Sequence, residues 1–308
     1  NKMDRQTIEN VVKACNVDTS EGPVNARVQQ VLVRLVTDLF QAIEDLDLSQ
    51  SEVWKGIETI IDIAKADEFA LMGSAVGLEH FLDLRADEAD AKAGLTGGTP
   101  RTIEGPLYVA GAPESTGFAR MDDGSEEGKI PTLIIDGTVT DTDGNIIPGA
   151  KVEVWHANSH GNYSFFDKSQ SHFNLRRSIL TDENGQYTAL TTMPVGYGLN
   201  PEGPLQGVLN QISRHGQRPA HVHYFISAPG YRKLTTQFNI EGDKYLWDDF
   251  AFGTREGLVA TAVDVTDEAE IARRGLKGPF KHIQFNVVLQ KEKEGAPSTE
   301  VERRRASA

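Results

Sequence analysis

Leu133-Ile134-Ile135-Asp136-Gly137-Thr138-Val139-Thr140 runs directly into Asp141-Thr142-Asp143-Gly144-Asn145. A β-branched run closed by a hairpin-type turn is the local mark of an antiparallel sheet. The pattern recurs downstream. Lys151-Val152-Glu153-Val154-Trp155 alternates with period two, Asp182-Glu183-Asn184-Gly185 turns the chain again, and Gln186-Tyr187-Thr188-Ala189-Leu190 resumes it. Further strands are expected over 221–227, 234–240 and 282–289. Short strands separated by turn dipeptides predict an antiparallel β-sandwich, not alternating βαβ units. Two connections, 163–179 and 197–217, exceed the usual loop length and mark functional or disordered segments.

Upstream of Gly97-Gly98-Thr99-Pro100 the periodicity is helical. Val28, Val31, Leu32, Leu35, Val36, Leu39, Phe40, Ile43 and Leu46 follow the i, i+3, i+4, i+7 template. Ser49 and Glu52 form a capping box, opening a helix with Val53, Trp54, Ile57, Ile60, Ile61 and Ala64 on one face. Shorter helices are expected over 8–15 and 69–84. The second contains Leu71-Met72-Gly73-Ser74-Ala75-Val76-Gly77, whose small side chains suit either tight helix packing or close approach of a ligand. The fold class is therefore α+β: an all-helical region over 1–100 and a β-sandwich over 101–290. The charged segment 291–308 reads as a surface extension with no catalytic role.

The 308 residues, 39% of them hydrophobic, suffice for one large or two moderate globular domains. Forty-five acidic against 31 basic residues, a formal charge of -14, argue against nonspecific nucleic-acid binding through phosphates. Any anionic substrate then depends on local cations such as Arg218. The single Cys15 excludes an intrachain disulfide framework and fits a reducing compartment, the cytoplasm. No apolar run reaches ~18 residues, so no membrane span is expected. Nor does a basic segment precede an apolar core at the start, so no signal peptide is expected. There is no internal repeat, phosphate-binding glycine loop, nucleophile elbow or cysteine-rich metal pattern.

The chemistry centres on Arg218-Pro219-Ala220-His221-Val222-His223-Tyr224-Phe225-Ile226. In a strand, i and i+2 share a face with Cα atoms roughly 6.6 Å apart, so two imidazoles can converge on one cation. Of the eight histidines, only 221 and 223 have a spacing that forces this. A zinc hydrolase would add a third His or a carboxylate, with His156, His160 and Glu153 nearby in sequence. A non-haem Fe(II) oxygenase would add an Asp or Glu. Spacing alone leaves both open.

Other motifs extend the pattern. Ile135-Asp136-Gly137-Thr138-Val139, then Gly144, Ile147 and Val152-Glu153-Val154, lead to Gly161-Asn162-Tyr163; Pro194-Val195-Gly196-Tyr197 and the histidine stretch follow in order, and Thr102-Ile103-Glu104-Gly105-Pro106-Leu107-Tyr108 precedes them. This series resembles the intradiol ring-cleavage dioxygenases, closest to their catechol-cleaving branch, over essentially the whole chain except the tail. The resemblance implies a ferric ion held by Tyr163, Tyr197, His221 and His223. It implies that catechol and O2 react there to give cis,cis-muconate, with Tyr197 accepting a catechol proton while Tyr163 stays bound. Arg218 would stabilise charge on the ring and Gln237 would assist. Leu71, Ser74, Ile103, Pro106, Leu107, Phe250 and Ala251 would line the substrate pocket. The resemblance also implies a homodimer through the N-terminal helices, with a phospholipid at the interface. Chlorocatechol or hydroxyquinol cleavage would need only a few different pocket side chains. From another class, a transthyretin-like binding module would leave the histidines incidental and the protein colourless.

Overall fold

The computed structural model describes residues 2–19 and 21–307; Asn1, Ser20 and Ala308, which fall in the expected helical region and tail, lie outside the described residues. Among the described residues the chain forms seven helices and sixteen strands, in two compact units, Asn1–Lys65 and Ala66–Ala308.

The first unit holds α1 (Arg5–Asn16), α2 (Ala26–Asp45) and α3 (Gln50–Lys65). Asp4 caps α1 by accepting from Thr7 N at 2.8 Å, and Asn25 caps α2 through Val28 N at 3.1 Å. At α3 the capping box is complete: Glu52 N donates to Ser49 Oγ (3.2 Å) and Ser49 N to Glu52 Oε2 (2.8 Å). These side chains satisfy amides that a helix leaves without partners. Ile8 and Val12 of α1 are buried. The apolar stripe of α2 is not, with Val28, Leu35 and Leu39 exposed by 59%, 64% and 56%. At roughly 25 cal/mol per Å², an apolar face this wide gains from being covered.

The second unit opens with two helices where one was expected over 69–84. α4 (Phe69–Ala75) and α5 (Leu78–Lys92) part at Gly77, whose φ of +83° is left-handed. Gly77 N donates to Ser74 O at 3.0 Å and ends α4, a conformation glycine adopts without strain. The break between compact units falls at Lys65, so both helices belong with the sheets and not with the first three helices.

α5 carries a carboxyl that titrates unusually. Asp83 Oδ2 is buried with no hydrogen-bond partner among the described residues. Burial pushes its pKa up from 3.8 to about 7; Arg101 opposes the shift, and Glu79 and Asp87 add to it. Native Asp83 thus keeps a proton that the unfolded chain gives up above 3.8. Stability should therefore fall as pH rises from about 4 to about 7. Asp83→Asn mimics the neutral form. It should flatten the pH dependence of Tm between pH 5 and 8 and stabilise the protein at pH 8 by ~1–3 kcal/mol. Parallel Tm profiles for wild type and variant would contradict this.

Two six-stranded sheets follow. The first runs β12 (Val259–Ala260), β11 (Leu234–Ile240), β10 (His221–Ser227), β5 (Lys151–Trp155), β6 (Arg176–Leu180), β2 (Glu114–Thr116). The second runs β13 (Val263–Val265), β14 (Phe280–Gln284), β4 (Thr132–Asp141), β7 (Gln186–Thr192), β3 (Phe118–Arg120), with β15 (Val287–Leu289) also on β4. Helix α6 (Pro204–Gln211) lies in the long 197–217 connection, and α7 (Glu268–Arg273) precedes β14. Val152, Val154, Val222, Tyr224 and Phe238 from one sheet join Leu133, Ile135, Val139, Tyr187 and Ile283 from the other in one buried cluster. Because strand side chains alternate, burying Val222 and Tyr224 there turns His221 and His223 to the opposite face.

Three local features depart from the sequence expectation. Thr140 bridges Ile146 across the 141–145 turn, as in a hairpin, but the chain then crosses to the other sheet. The sheets are mixed: β4–β7, β5–β6, β5–β10 and β10–β11 are antiparallel, whereas β14 and β15 run parallel to β4. The expected strand 282–289 is these two pieces. The tail is also tied down. β16 (Ala306–Ser307) pairs in parallel with β1 (Val109–Ala110), and Arg232 Nη1 donates to Pro297 O at 2.6 Å. Among the described residues, no helix is long and apolar enough to cross a membrane.

Candidate functional site

Three pieces of backbone aim four side chains at one point. In β10, His221 and His223 share the outer face of the sheet, and Trp155 of the neighbouring β5 stacks flat on His223 at 5.0 Å and 7°. Tyr163 leaves a tight loop in which Asn158 Oδ1 accepts from His160 N and Asn162 N, both at 3.0 Å. Within that loop Gly161 has φ +77°, and a Cβ there would lie 2.5 Å from Tyr197 Cβ. Only glycine lets the two segments approach so closely. Tyr197 lies on β8 (Tyr197–Gly198), which pairs with β9 (Gln217–Arg218) so that Tyr197 faces Arg218.

The four donor atoms converge. His221 Nε2 and His223 Nε2 are 3.0 Å apart, and Tyr163 Oη is 3.1 Å from His223 Nε2 and 3.3 Å from His221 Nε2. Tyr197 Oη lies 3.2 Å from Tyr163 Oη and 3.4 Å from His221 Nε2. His221 Nδ1 faces Pro219 O at 2.7 Å, which leaves Nε2 as its free lone pair. That one lone pair meets His223, both phenols and Arg218 Nη1 at 3.1 Å, more than it can satisfy by hydrogen bonds. Nitrogen and oxygen donors at these separations leave a centre about 2 Å from each, the reach of a transition-metal bond. The residues therefore fit a small, hard cation.

Burial, reinforced by Arg218, lowers His221 to about 3, and burial with His221 holds His223 well below its ordinary range. Both imidazoles are thus neutral and available as ligands. Burial and the Tyr197 oxygen raise Tyr163 well above an ordinary phenol, so it ionises only beside a strong cation. The alternatives raised by spacing do not assemble. His156 is consumed by Ala157 O and Thr191 Oγ1, both at 2.7 Å, Glu153 accepts from Tyr108 Oη, and His160 is exposed. Among the described residues, no group of three His, Cys, Asp or Glu could hold a metal.

The donors open into a cavity of about 500 Å³ whose lining includes Leu71, Ser74, Ile103, Pro106, Leu107, Phe250 and Ala251. All seven residues expected in the pocket are therefore brought to one cleft with Tyr163, Tyr197 and Arg218. Ser74 Oγ donates to Glu79 Oε1 at 3.1 Å, so its hydroxyl is engaged. Arg218 is buried. Burial opposes its charge, but Asp249 overrides this and raises its pKa. Its Nε donates to Asp249 Oδ1 and its Nη2 to Oδ2, each at 3.0 Å, and Nη2 also reaches Gln237 Oε1 at 3.3 Å. Asp249 stands outside every motif in the sequence. It also accepts from Ala251 N (2.9 Å) and Gly253 N (3.0 Å), so one carboxylate fixes both the guanidinium and the Phe250–Ala251 wall. Arg176, over the Tyr163 ring at 5.7 Å and lowered by burial to about 10, was likewise not singled out. Neither residue lies in a spaced motif. For Asp249, the one available signal was its place directly before Phe250.

A family model described as Dioxygenase matches residues 103–291, and one described as Catechol dioxygenase N terminus matches residues 25–94. Catechol 1,2-dioxygenase of Acinetobacter guillouiae is 68% identical over 295 residues, covering 96% of this chain and 97% of that protein. Catechol 1,2-dioxygenase of Acinetobacter baylyi is 50% identical over 302 residues, covering 97% and 96%. The crystal structure of wild-type catechol 1,2-dioxygenase from Acinetobacter radioresistens matches with a TM-score of 0.98 at 75% identity, over 99% of each chain.

Proposed function

The chain belongs to the intradiol ring-cleavage dioxygenase family, and from that premise we propose that Tyr163, Tyr197, His221 and His223 hold one ferric ion. The enzyme uses O2 to cleave catechol between its two hydroxylated carbons, giving cis,cis-muconate. The observation that carries the ligand set is the meeting of two phenols and two neutral imidazoles within 3.0–3.4 Å, with no carboxylate among them. Ionising a tyrosine at pH 7 costs roughly 4 kcal/mol in water, and more when buried. Two such groups in one site make sense beside a trivalent ion and not in an empty core. A ferric ion held by these four residues would supply Lewis acidity to the bound diol.

The protein's own groups do the rest. Tyr163 is nearly inaccessible and stays a fixed donor, whereas Tyr197 lies on a two-residue ribbon at the cleft and takes a proton from catechol at Oη. Arg218, held by Asp249 and Gln237, presents a permanent cation where the ring becomes electron-rich. Leu71, Ile103, Pro106, Leu107, Phe250 and Ala251 supply apolar walls that keep water from the flat ring. In the same reading the packed sheets are a β-sandwich, and the exposed stripe of α2 meets a second copy with a phospholipid at the interface. One free cysteine suits the cytoplasm.

The test is product analysis after supplying catechol and labelled O2 to the iron-loaded protein. The expected product is cis,cis-muconate carrying label. A yellow hydroxymuconic semialdehyde, from cleavage beside the diol, would overturn the reading, as would unchanged catechol.

A further inference from the structure

The pocket wall 103–107 is anchored firmly at its ends and lightly between them. Thr102 N donates to Thr235 O and Thr102 Oγ1 to Gly253 O at one end, and Tyr108 Oη donates to Glu153 at the other. Between them, among the described residues, the polar anchors are Gly105 N to Glu79 Oε2 (3.2 Å) and the Glu104 carboxylate. That carboxylate is buried and held from the C-terminal tail. Arg305 Nε and Nη2 each donate to one of its oxygens at 2.9 Å, a bidentate fork. Arg303 lies 3.9 Å from both Glu104 Oε2 and Glu79 Oε2. Parallel pairing of Val109 with Ala306 and Ala110 with Ser307 fixes the register in which these arginines arrive. Glu79 in turn receives Ser74 Oγ from the opposite wall, and an added Cβ at Gly105 would sit 3.6 Å from His223 Cε1.

We propose that Arg303 and Arg305 are positioning residues for the ring pocket. The tail acts as a latch that, through Glu104 and Glu79, presses the 103–107 wall toward Ser74 and His223. The latch sets the cleft width and thereby favours catechol over ring-substituted catechols. This rests on reading the cleft as the catechol site.

The test uses the full-length, iron-loaded enzyme and its variants Arg305→Gln, Arg305→Lys and Glu104→Gln. The readouts are anaerobic catechol Kd, kcat and KM per iron, and the kcat/KM ratio of catechol to 4-methylcatechol. Arg305→Gln should raise Kd and KM about tenfold, equivalent to ~1.4 kcal/mol. It should leave kcat per iron within about twofold and reduce the ratio at least about threefold. Glu104→Gln should match it, the double variant should be no worse than either, and Arg305→Lys should restore part of the affinity. Wild type that binds catechol with a Kd unchanged by Arg305→Gln overturns the latch alone. So does a variant whose only defect is a lower Tm or lower iron content. Wild type that neither binds nor cleaves catechol overturns the substrate reading and the latch with it.

Discussion

Tyr163→Phe is expected to lower turnover at least about a thousandfold, or ~4 kcal/mol of transition-state stabilisation, with a large loss of bound iron. Tyr163 Oη is 3.1–3.3 Å from His223 Nε2, Tyr197 Oη and His221 Nε2, and the ring is buried. His221→Ala should be as severe, since His221 Nε2 lies within 3.4 Å of all three other donors. Tyr197→Phe is graded differently: it should keep part of the iron and lose most turnover, because the role proposed for Tyr197 is to take a proton as well as to bind. Metal analysis and initial rates check the series. Full iron with normal turnover in Tyr163→Phe or His221→Ala would remove that residue from the ligand set.

Arg218→Ala should cost about 10²–10³ in kcat per bound iron while leaving iron content nearly intact. The guanidinium points at the donor cluster without being able to join it. The same change strands Asp249, whose side chain is 1% exposed, so a stability loss of ~3–5 kcal/mol is also expected. Rates must therefore be taken below the lowered Tm and divided by iron. Arg218→Lys keeps the charge but loses the fork to Asp249 and should fall between wild type and Ala. If Arg218→Ala lost its metal while the remaining iron turned over normally, the residue would be structural.

Legibility in the sequence followed the range of the interactions. His221 and His223 declared themselves because a period of two is local, and the Ser49–Glu52 box because a cap spans one turn. Tyr163 and Tyr197 have no such period. They were legible only through the ordered motifs around them. Asp249 reaches Arg218 across 31 residues and Glu104 meets Arg305 across 201, and no local pattern encodes such pairings. The strand expected over 282–289 is present as β14 and β15, but its parallel pairing was not legible for the same reason, since the partner β4 lies far upstream. The break at Gly77 was visible as a glycine, but the flanking apolar residues continued the helical period and masked it.

The central claim, a ferric ion on two phenolates and two imidazoles, is tested most directly by the visible absorption spectrum of the purified, metal-loaded protein. Tyrosinate-to-iron(III) charge transfer predicts a red protein whose band shifts when catechol is added without oxygen and weakens in Tyr163→Phe. A colourless protein with stoichiometric iron, or one active with zinc in its place, would contradict it.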